Sequence, residues 1–182
     1  TGTVVLVDGG DIMQGSLLSN LFHGESTIDI YNSMGYQVAT FGNHEFDWGQ
    51  TVLAERVAEA SFPFVSANIV KNDTGDCATA GWTAPDWATP WTTVTVGAGA
   101  DTAEIGFIGV TSQETPYITI ASATENLCFK DPAESILHYY DELDAAADVI
   151  VVLSHLGFDD GGYGYGILVY GDQSLAQKLI DA

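Results

Sequence analysis

The chain has 182 residues, 46% of them hydrophobic, which is the size of one ordinary domain with a sizeable core. Twenty-five acidic residues against four Lys and Arg give a formal charge of −21, and this excludes a nucleic-acid polymer as partner because such binding needs a basic face. No apolar run approaches the roughly 20 residues of a membrane-spanning helix. The acidity itself is typical of a very soluble protein, or of one adapted to a salty or extracellular setting.

Strands and helices alternate along the first part of the chain. The predicted elements are, in order, a strand over 3–7, a Gly-rich turn over 8–15, helices over 17–22 and 26–34, a strand over 37–40, an amphipathic helix over 49–60 and a strand over 64–67. Strands that are separated by helices indicate an α/β fold.

The second part of the chain begins with an irregular segment. Residues 69–90 contain two Trp and two Pro without a clear period, which predicts a long surface insertion. The elements predicted after it are a hairpin of strands over 91–96 and 104–110, a helix over 131–147 that starts with a capping box, a strand over 149–153, a mobile Gly- and Tyr-rich loop over 158–170, and a helix over 172–181. The hairpin predicts that the sheet region is mixed and not purely parallel.

Three polar segments each follow a predicted strand. They are Gly-Asp-Ile-Met-Gln-Gly-Ser at 10–16, Gly-Asn-His-Glu-Phe-Asp at 42–47 and Ser-His-Leu-Gly at 154–157. The carboxyl edge of the strands is where α/β folds bind their ligands, so we expect one carboxylate, one amide oxygen and two imidazoles to meet there. Such a set suits a divalent metal ion and the hydrolysis of a phosphate ester.

These segments resemble three sequence blocks of the calcineurin-like metallophosphoesterases, most closely those of the 5′-nucleotidase and UDP-sugar hydrolase branch. The resemblance covers nearly the whole chain and implies a four-layer α/β/β/α sandwich with two mixed β-sheets. The family's opening Asp-x-His block and its closing Gly-His-x-His or Gly-His-x-Gln block do not occur in these 182 residues. We therefore expect residues 1–182 to form a single, incomplete catalytic domain, without the C-terminal nucleoside-binding domain of the family.

The resemblance implies three metal ligands. Asp11 matches the aspartate that bridges two metal ions, and Asn43 and His155 match ligands of one of these ions. From the residues alone, simpler interpretations remain open. Asp11 and Asn43 also suit ordinary turns, and His155 also suits a hydrogen-bonded position near a strand end.

The same resemblance implies a catalytic pair. His44 matches the histidine that stabilises the transition state or protonates the leaving oxygen, and Asp47 is spaced to accept its ring N–H. The alternative for Asp47 is an N-cap of the helix that starts at 49. We expect Glu45 to support the metal ligands or to be structural, and not to be catalytic. We expect His23 to be structural and His138 to be a solvated surface histidine.

The expected function is metal-dependent hydrolysis of a small-molecule phosphate ester, a nucleotide, by in-line attack of a metal-bound hydroxide. The resemblance implies two divalent ions, Zn, Mn or Fe, in a full domain. With only Asp11, Asn43 and His155 present, we expect at most one weakly held ion and a nearly inactive chain. Similar relatives hydrolyse UDP-sugars, 2′,3′-cyclic nucleotides or thiosulfate conjugates. The alternative from another class is a non-catalytic acidic extracellular domain that binds a partner through the Trp-rich insertion.

The two cysteines, Cys77 and Cys128, lie in polar loop-like stretches and do not form a Cys-x-x-Cys pair. Two interpretations remain open, a disulfide between two loops and two unrelated free thiols. A disulfide implies an oxidising compartment, so we expect an extracellular, periplasmic or cell-surface protein.

Overall fold

The computed structural model describes residues 2–99, 101–161 and 169–182. The strands are β1 Leu6–Asp8, β2 Tyr36–Thr40, β3 Phe64–Val65, β4 Ile69–Lys71, β5 Trp91–Ala98, β6 Asp101–Thr111, β7 Leu127–Phe129 and β8 Val149–His155. The helices are α1 Leu17–Leu21, α2 Glu25–Met34, α3 Gly49–Glu59, α4 Thr115–Ile118, α5 Pro132–Asp144 and α6 Asp172–Asp181, with 3₁₀ turns at His44–Phe46 and Ala121–Ala123. Within the described ranges, no helix has the length and apolar character needed to cross a membrane.

The strands of the described residues form three sheets. The first is β1-β2-β3, all parallel, and the second is the short antiparallel pair β4-β7. The third is mixed, because β6 pairs antiparallel with β5 and parallel with β8. The first and third sheets are the two packed sheets of the expected sandwich.

Three apolar clusters separate four layers. Helices α2 and α3 cover the outer face of the β1-β2-β3 sheet, and α5 and α6 cover the outer face of the β5-β6-β8 sheet. Between the sheets lies a third cluster, in which Val38 and Val65 pack with Phe107 and Leu153. The side chains of β6 alternate between the two faces of its sheet. Phe107 packs in the inner cluster, and its neighbour Ile108 packs against the helices. The fold is therefore the predicted α/β/β/α sandwich.

The two main sheets approach most closely where the site begins. A Cβ on Gly109 would lie 2.0 Å from the carbonyl oxygen of Val65, so only glycine fits there. Two residues on, the Thr111 hydroxyl donates to the carbonyl of Phe41 (2.7 Å). The Asn68 side chain accepts from the N–H of Thr111 (2.8 Å) and donates to its carbonyl (2.7 Å). These buried bonds hold the carboxyl end of β6 against the chain that follows β2.

Most predicted elements are present with shifted ends. The strand predicted from residue 3 begins only at Leu6, which pairs with Tyr36, the first residue of β2; Val4 is 74% exposed. The helix predicted over 131–147 ends at Asp144, and the Asp131 carboxylate accepts from the N–H of Glu134 as an N-cap should. The loop predicted over 158–170 lies largely outside the described residues, since 162–168 are not among them.

The segment over 69–90 lies largely at the surface, as its sequence predicts, but it is held to the rest of the domain. It opens as β4, which pairs with β7 more than 50 positions later, and the predicted disulfide between Cys77 and Cys128 is confirmed. Trp82 stacks on the exposed His138, with ring centroids 4.2 Å apart. His138 thus has a specific ring partner, which its position on the polar face of a helix did not indicate.

Candidate metal and catalytic site

The turn after β1 presents Asp11 in an unusual conformation. Gly10 and Asp11 have φ angles of 98° and 64°, a region that glycine enters freely and aspartate tolerates. The N–H of Gly10 donates to the Asp8 carboxylate (2.8 Å), whose other oxygen accepts from the Tyr31 hydroxyl (2.9 Å). A Cβ on Gly42 would lie 2.1 Å from Asp11 Oδ1, so the second loop can approach this carboxylate only through a glycine.

The Asp11 carboxylate joins the three polar segments. Its Oδ1 accepts the backbone N–H of His44 (2.9 Å), and its Oδ2 lies 3.2 Å from Nε2 of His155. Burial alone would raise the pKa of Asp11, but the hydrogen bonds with His155 and with the His44 N–H outweigh it, and the pKa lies below its usual value. The first and last segments therefore meet at one carboxylate, as the sequence predicts.

His155 is oriented by a backbone carbonyl. Its Nδ1 lies 2.8 Å from the oxygen of Gly9, and a carbonyl only accepts, so Nδ1 carries the proton. Nε2 faces the Asp11 carboxylate, which only accepts, so a metal ion bound there would take the place of the Nε2 proton in this contact. Burial lowers the pKa of His155, but the hydrogen bond to Asp11 outweighs this effect and the pKa is raised.

His44 and Asp47 form a hydrogen-bonded pair, with 2.7 Å between Nδ1 and the carboxylate. This bond raises the pKa of His44, against the opposing effect of partial burial. The His44 side chain is 41% exposed and so remains open to a substrate. Asp47 is not an N-cap, because α3 follows Trp48 and has no side-chain cap.

Glu45 was expected to support the metal ligands or to be structural, and its contacts are extensive. The residue is 1% exposed, and its carboxylate accepts four backbone N–H groups from the two neighbouring loops. Sequence reasoning missed this number of contacts. The available signal was a carboxylate placed directly before the apolar Phe46 in a tight turn.

The kinds of side chain at this edge are suitable ligands for a divalent metal ion. Asp11 offers a carboxylate and His155 an Nε2 nitrogen aimed at it, while the half-buried Asn43 adds an amide oxygen between Gly42 and His44. In the described part of the chain, no three His, Cys, Asp or Glu side chains gather in a position to hold a metal. A mixed set of one carboxylate, one imidazole and one amide suits Zn, Mn or Fe.

Comparisons with known proteins agree with this geometry, although no family model matches the chain. Protein UshA of Salmonella pullorum is 33% identical over 180 residues, which are 98% of this chain and 30% of UshA. The solved 5′-nucleotidase precursor of Thermus thermophilus aligns with 85% of this chain and 28% of its own, with 33% identity and a TM-score of 0.68. The calcineurin-like phosphoesterase YfkN of Bacillus subtilis aligns with 96% of this chain and 54% of its own, with a TM-score of 0.74. Because its identity is only 23%, this likeness supports the fold alone.

The sandwich is the fold of the calcineurin-like phosphoesterases. Over nearly its whole length the chain is similar to the 5′-nucleotidase branch, as its sequence predicts. This similarity implies divalent metal ions. The chain spans about a third of the length of UshA and of the Thermus protein.

Proposed function

We propose that this chain carries metal-binding and proton-transfer residues of a metal-dependent phosphoester hydrolase that acts on nucleotides. The observation that supports the proposal is the position of Asp11. One oxygen of its carboxylate is tied to the backbone of the His44 loop, and the other faces His155 Nε2. Residues from three distant segments thus lie at one edge of the sheets, and this supports the proposed ligand set.

In this proposal Asp11, Asn43 and His155 hold a divalent cation, Zn, Mn or Fe. When bound, such cations neutralise phosphate charge and activate water for in-line attack. The cations are needed for a second reason, because a protein of net charge −21 repels an anionic substrate. Three protein donors are few, so we expect one cation with weak affinity.

His44 supplies the proton in this proposal. Its Nδ1 donates to Asp47, which leaves Nε2 to hold a proton for the leaving oxygen. The hydrogen bond that raises the pKa of His44 favours its protonated form. Asp47 therefore orients the His44 ring and favours its protonated form.

The substrate is proposed to be a nucleotide monoester, because the similar proteins are a 5′-nucleotidase precursor and UshA. UDP-sugars, 2′,3′-cyclic nucleotides and thiosulfate conjugates remain the alternatives. The Cys77–Cys128 disulfide supports an extracellular, periplasmic or cell-surface location, since disulfides persist in oxidising compartments.

The alternative of a non-catalytic binding domain requires free tryptophans on the segment over 69–90. Trp87 instead packs edge-on against Phe41 and Phe46, with centroids 5.0 and 6.0 Å away. Trp82 is half-buried and stacked on His138. These rings take part in the packing of the domain itself, and this favours the enzyme.

The test is a calorimetric titration of Mn²⁺ and Zn²⁺ into the metal-stripped chain and into Asp11→Asn. Asparagine tolerates the φ of 64° and keeps an acceptor for the His44 N–H, so the variant removes mainly the charge. We expect one weakly bound ion, lost in Asp11→Asn and retained in Asp29→Asn, which removes an exposed carboxylate on α2.

Equal binding by Asp11→Asn, or no binding by the unmodified chain, would refute the metal site. Two tightly bound ions would contradict the expected count. Phosphate release from AMP with Mn²⁺ is measured alongside. Release that Asp11→Asn abolishes would support the hydrolase and contradict the expected near-inactivity of this chain.

A further inference from the structure

The two loops that carry Asp11 and Asn43 share one buried carboxylate. Glu45 Oε1 accepts the N–H groups of Ile12 (2.7 Å) and Met13 (3.1 Å). Glu45 Oε2 accepts those of Asp11 (2.8 Å) and Gly42 (2.6 Å). Three of the donors belong to the turn after β1 and the fourth to the loop after β2. One side chain therefore spans both loops.

The turn after β1 is shaped to hold an anion. The positive φ angles of Gly10 and Asp11 direct three successive N–H groups toward one point, the arrangement that binds anions in phosphate loops. In this protein the anion held by the turn is the Glu45 carboxylate. Each oxygen of Glu45 receives two N–H donors, so a proton on either oxygen would face donors only. Both oxygens of Glu45 therefore act as acceptors.

We propose that Glu45 is the positioning residue of the metal site, because it sets the spacing between the Asp11 turn and the Asn43 loop. The proposal rests on the proposed function, in which Asp11 and Asn43 are ligands. A second consequence concerns the substrate. The N–H groups of residues 11–13 are occupied by Glu45, so the phosphate of a nucleotide is held by other groups.

The decisive variant is Glu45→Gln, which keeps the length of the side chain. A glutamine oxygen replaces one carboxylate oxygen, but its NH₂ group then faces two N–H donors. The first readout is amide hydrogen exchange by NMR, which needs no metal. We expect faster exchange at both the Asp11 turn and Gly42, with unchanged exchange in the middle of β6. The second readout is Mn²⁺ affinity, expected to fall by about 10–100-fold, as for other residues that orient metal ligands.

Two further variants separate positioning from general destabilisation. Glu45→Asp keeps the charge but is one methylene shorter, so it cannot span both loops and should also weaken Mn²⁺ binding. If Glu45→Gln does not fold, the same two measurements are made on Glu45→Asp. Ser135→Ala removes a buried hydrogen bond in α5, where the hydroxyl donates to the Asp131 carbonyl (2.6 Å). We expect this variant to lower the melting temperature and leave the Mn²⁺ affinity unchanged.

The outcomes distinguish the two proposals. A folded Glu45→Gln with unchanged exchange at either loop, or with unchanged Mn²⁺ affinity, would overturn the role of Glu45 while leaving the metal site intact. An unmodified chain that binds no Mn²⁺ would refute the metal site and, with it, the positioning of ligands by Glu45. Amide exchange would then still decide whether Glu45 joins the two loops. Faster exchange at both loops with weakened Mn²⁺ binding supports the proposal.

Discussion

Breaking the Cys77–Cys128 disulfide should cost much of the stability of this domain. The bond closes a loop of 51 positions, for which the chain-entropy model gives about 14 cal/mol/K, or about 4 kcal/mol at 25 °C. In a domain of this size, each kcal/mol changes the melting temperature by about 2–4 °C, so reduction should lower it by about 8–16 °C.

Several non-covalent contacts hold the segment over 69–90 besides the disulfide. Cys128 is buried in β7, whereas Cys77 lies in an exposed part of the segment. The pairing of β4 with β7 spans only three residues on each side. Lys130 Nζ donates to the carbonyl of Ala80 (2.6 Å) and lies over the ring of Trp82, which also stacks on His138. The contacts of Ala80 and Trp82 lie beyond Cys77 in the chain, so the disulfide is the bond that closes the loop around Cys77.

The assay is thermal unfolding followed by circular dichroism, with the same chain in oxidised and reduced form. This comparison changes the covalent bond and leaves the side chains otherwise alone. The double variant Cys77→Ala, Cys128→Ala should melt near the reduced chain and should not respond to reductant. A reduced chain that melts within about 2 °C of the oxidised one would refute the reasoning, because the loop would then have little entropy to lose.

Three further predictions concern charge and packing. Because Asp47 raises the pKa of His44, the stabilisation from this pair is present at low pH and is lost as the pH rises through that pKa; Asp47→Asn should lower the pKa, as read by NMR titration of the His44 ring. Gly109→Ala would place a Cβ 2.0 Å from the Val65 carbonyl oxygen and should cost at least about 1–3 kcal/mol in urea unfolding. The charge of −21 makes the folded chain repel itself, so its melting temperature should rise between about 0.01 and 1 M NaCl, as the screening length falls from about 30 to 3 Å.

Each of these predictions has a matched control and a result that contradicts it. Asp29→Asn should leave the His44 pKa unchanged, and an unchanged pKa in Asp47→Asn would show that the 2.7 Å contact has no electrostatic effect. Gly81→Ala adds a methyl group that meets no atom of the described residues within 4 Å, so a loss of stability equal to that of Gly109→Ala would argue against close packing as the cause. KCl should act like NaCl. A melting temperature that depends on neither salt would contradict charge repulsion as a source of instability.

Local patterns predicted most of the fold because they coincide with burial. The alternation in β6 and the amphipathic stripe of α3 each face an apolar cluster, so their periods are visible in the sequence. The pairing of β4 with β7 was not predicted, since three-residue strands carry too little pattern and their partners are distant in sequence. The start of β1 was misplaced for a related reason. An apolar run such as the one at Val4 becomes a strand only where a neighbouring strand exists.

The candidate site was also predictable only in part. The convergence of Asp11, His44 and His155 was predictable because each lies at or just after the carboxyl end of a strand. The bond from His155 to the Gly9 carbonyl and the four N–H groups around Glu45 were not predictable. They depend on backbone angles in the loops, and a sequence does not state where a turn directs its N–H groups.

The bond between His155 and the Gly9 carbonyl joins residues 146 positions apart. During synthesis, the first half of the site leaves the ribosome long before β8, and without β8 there is no imidazole beside Asp11. The proposed metal site therefore forms only when β8 docks onto β6. A nascent or partly folded chain in which β8 is undocked lacks the pair of Asp11 and His155, so the proposed site cannot form before this step. Metal uptake would thus report on the folded state as a whole.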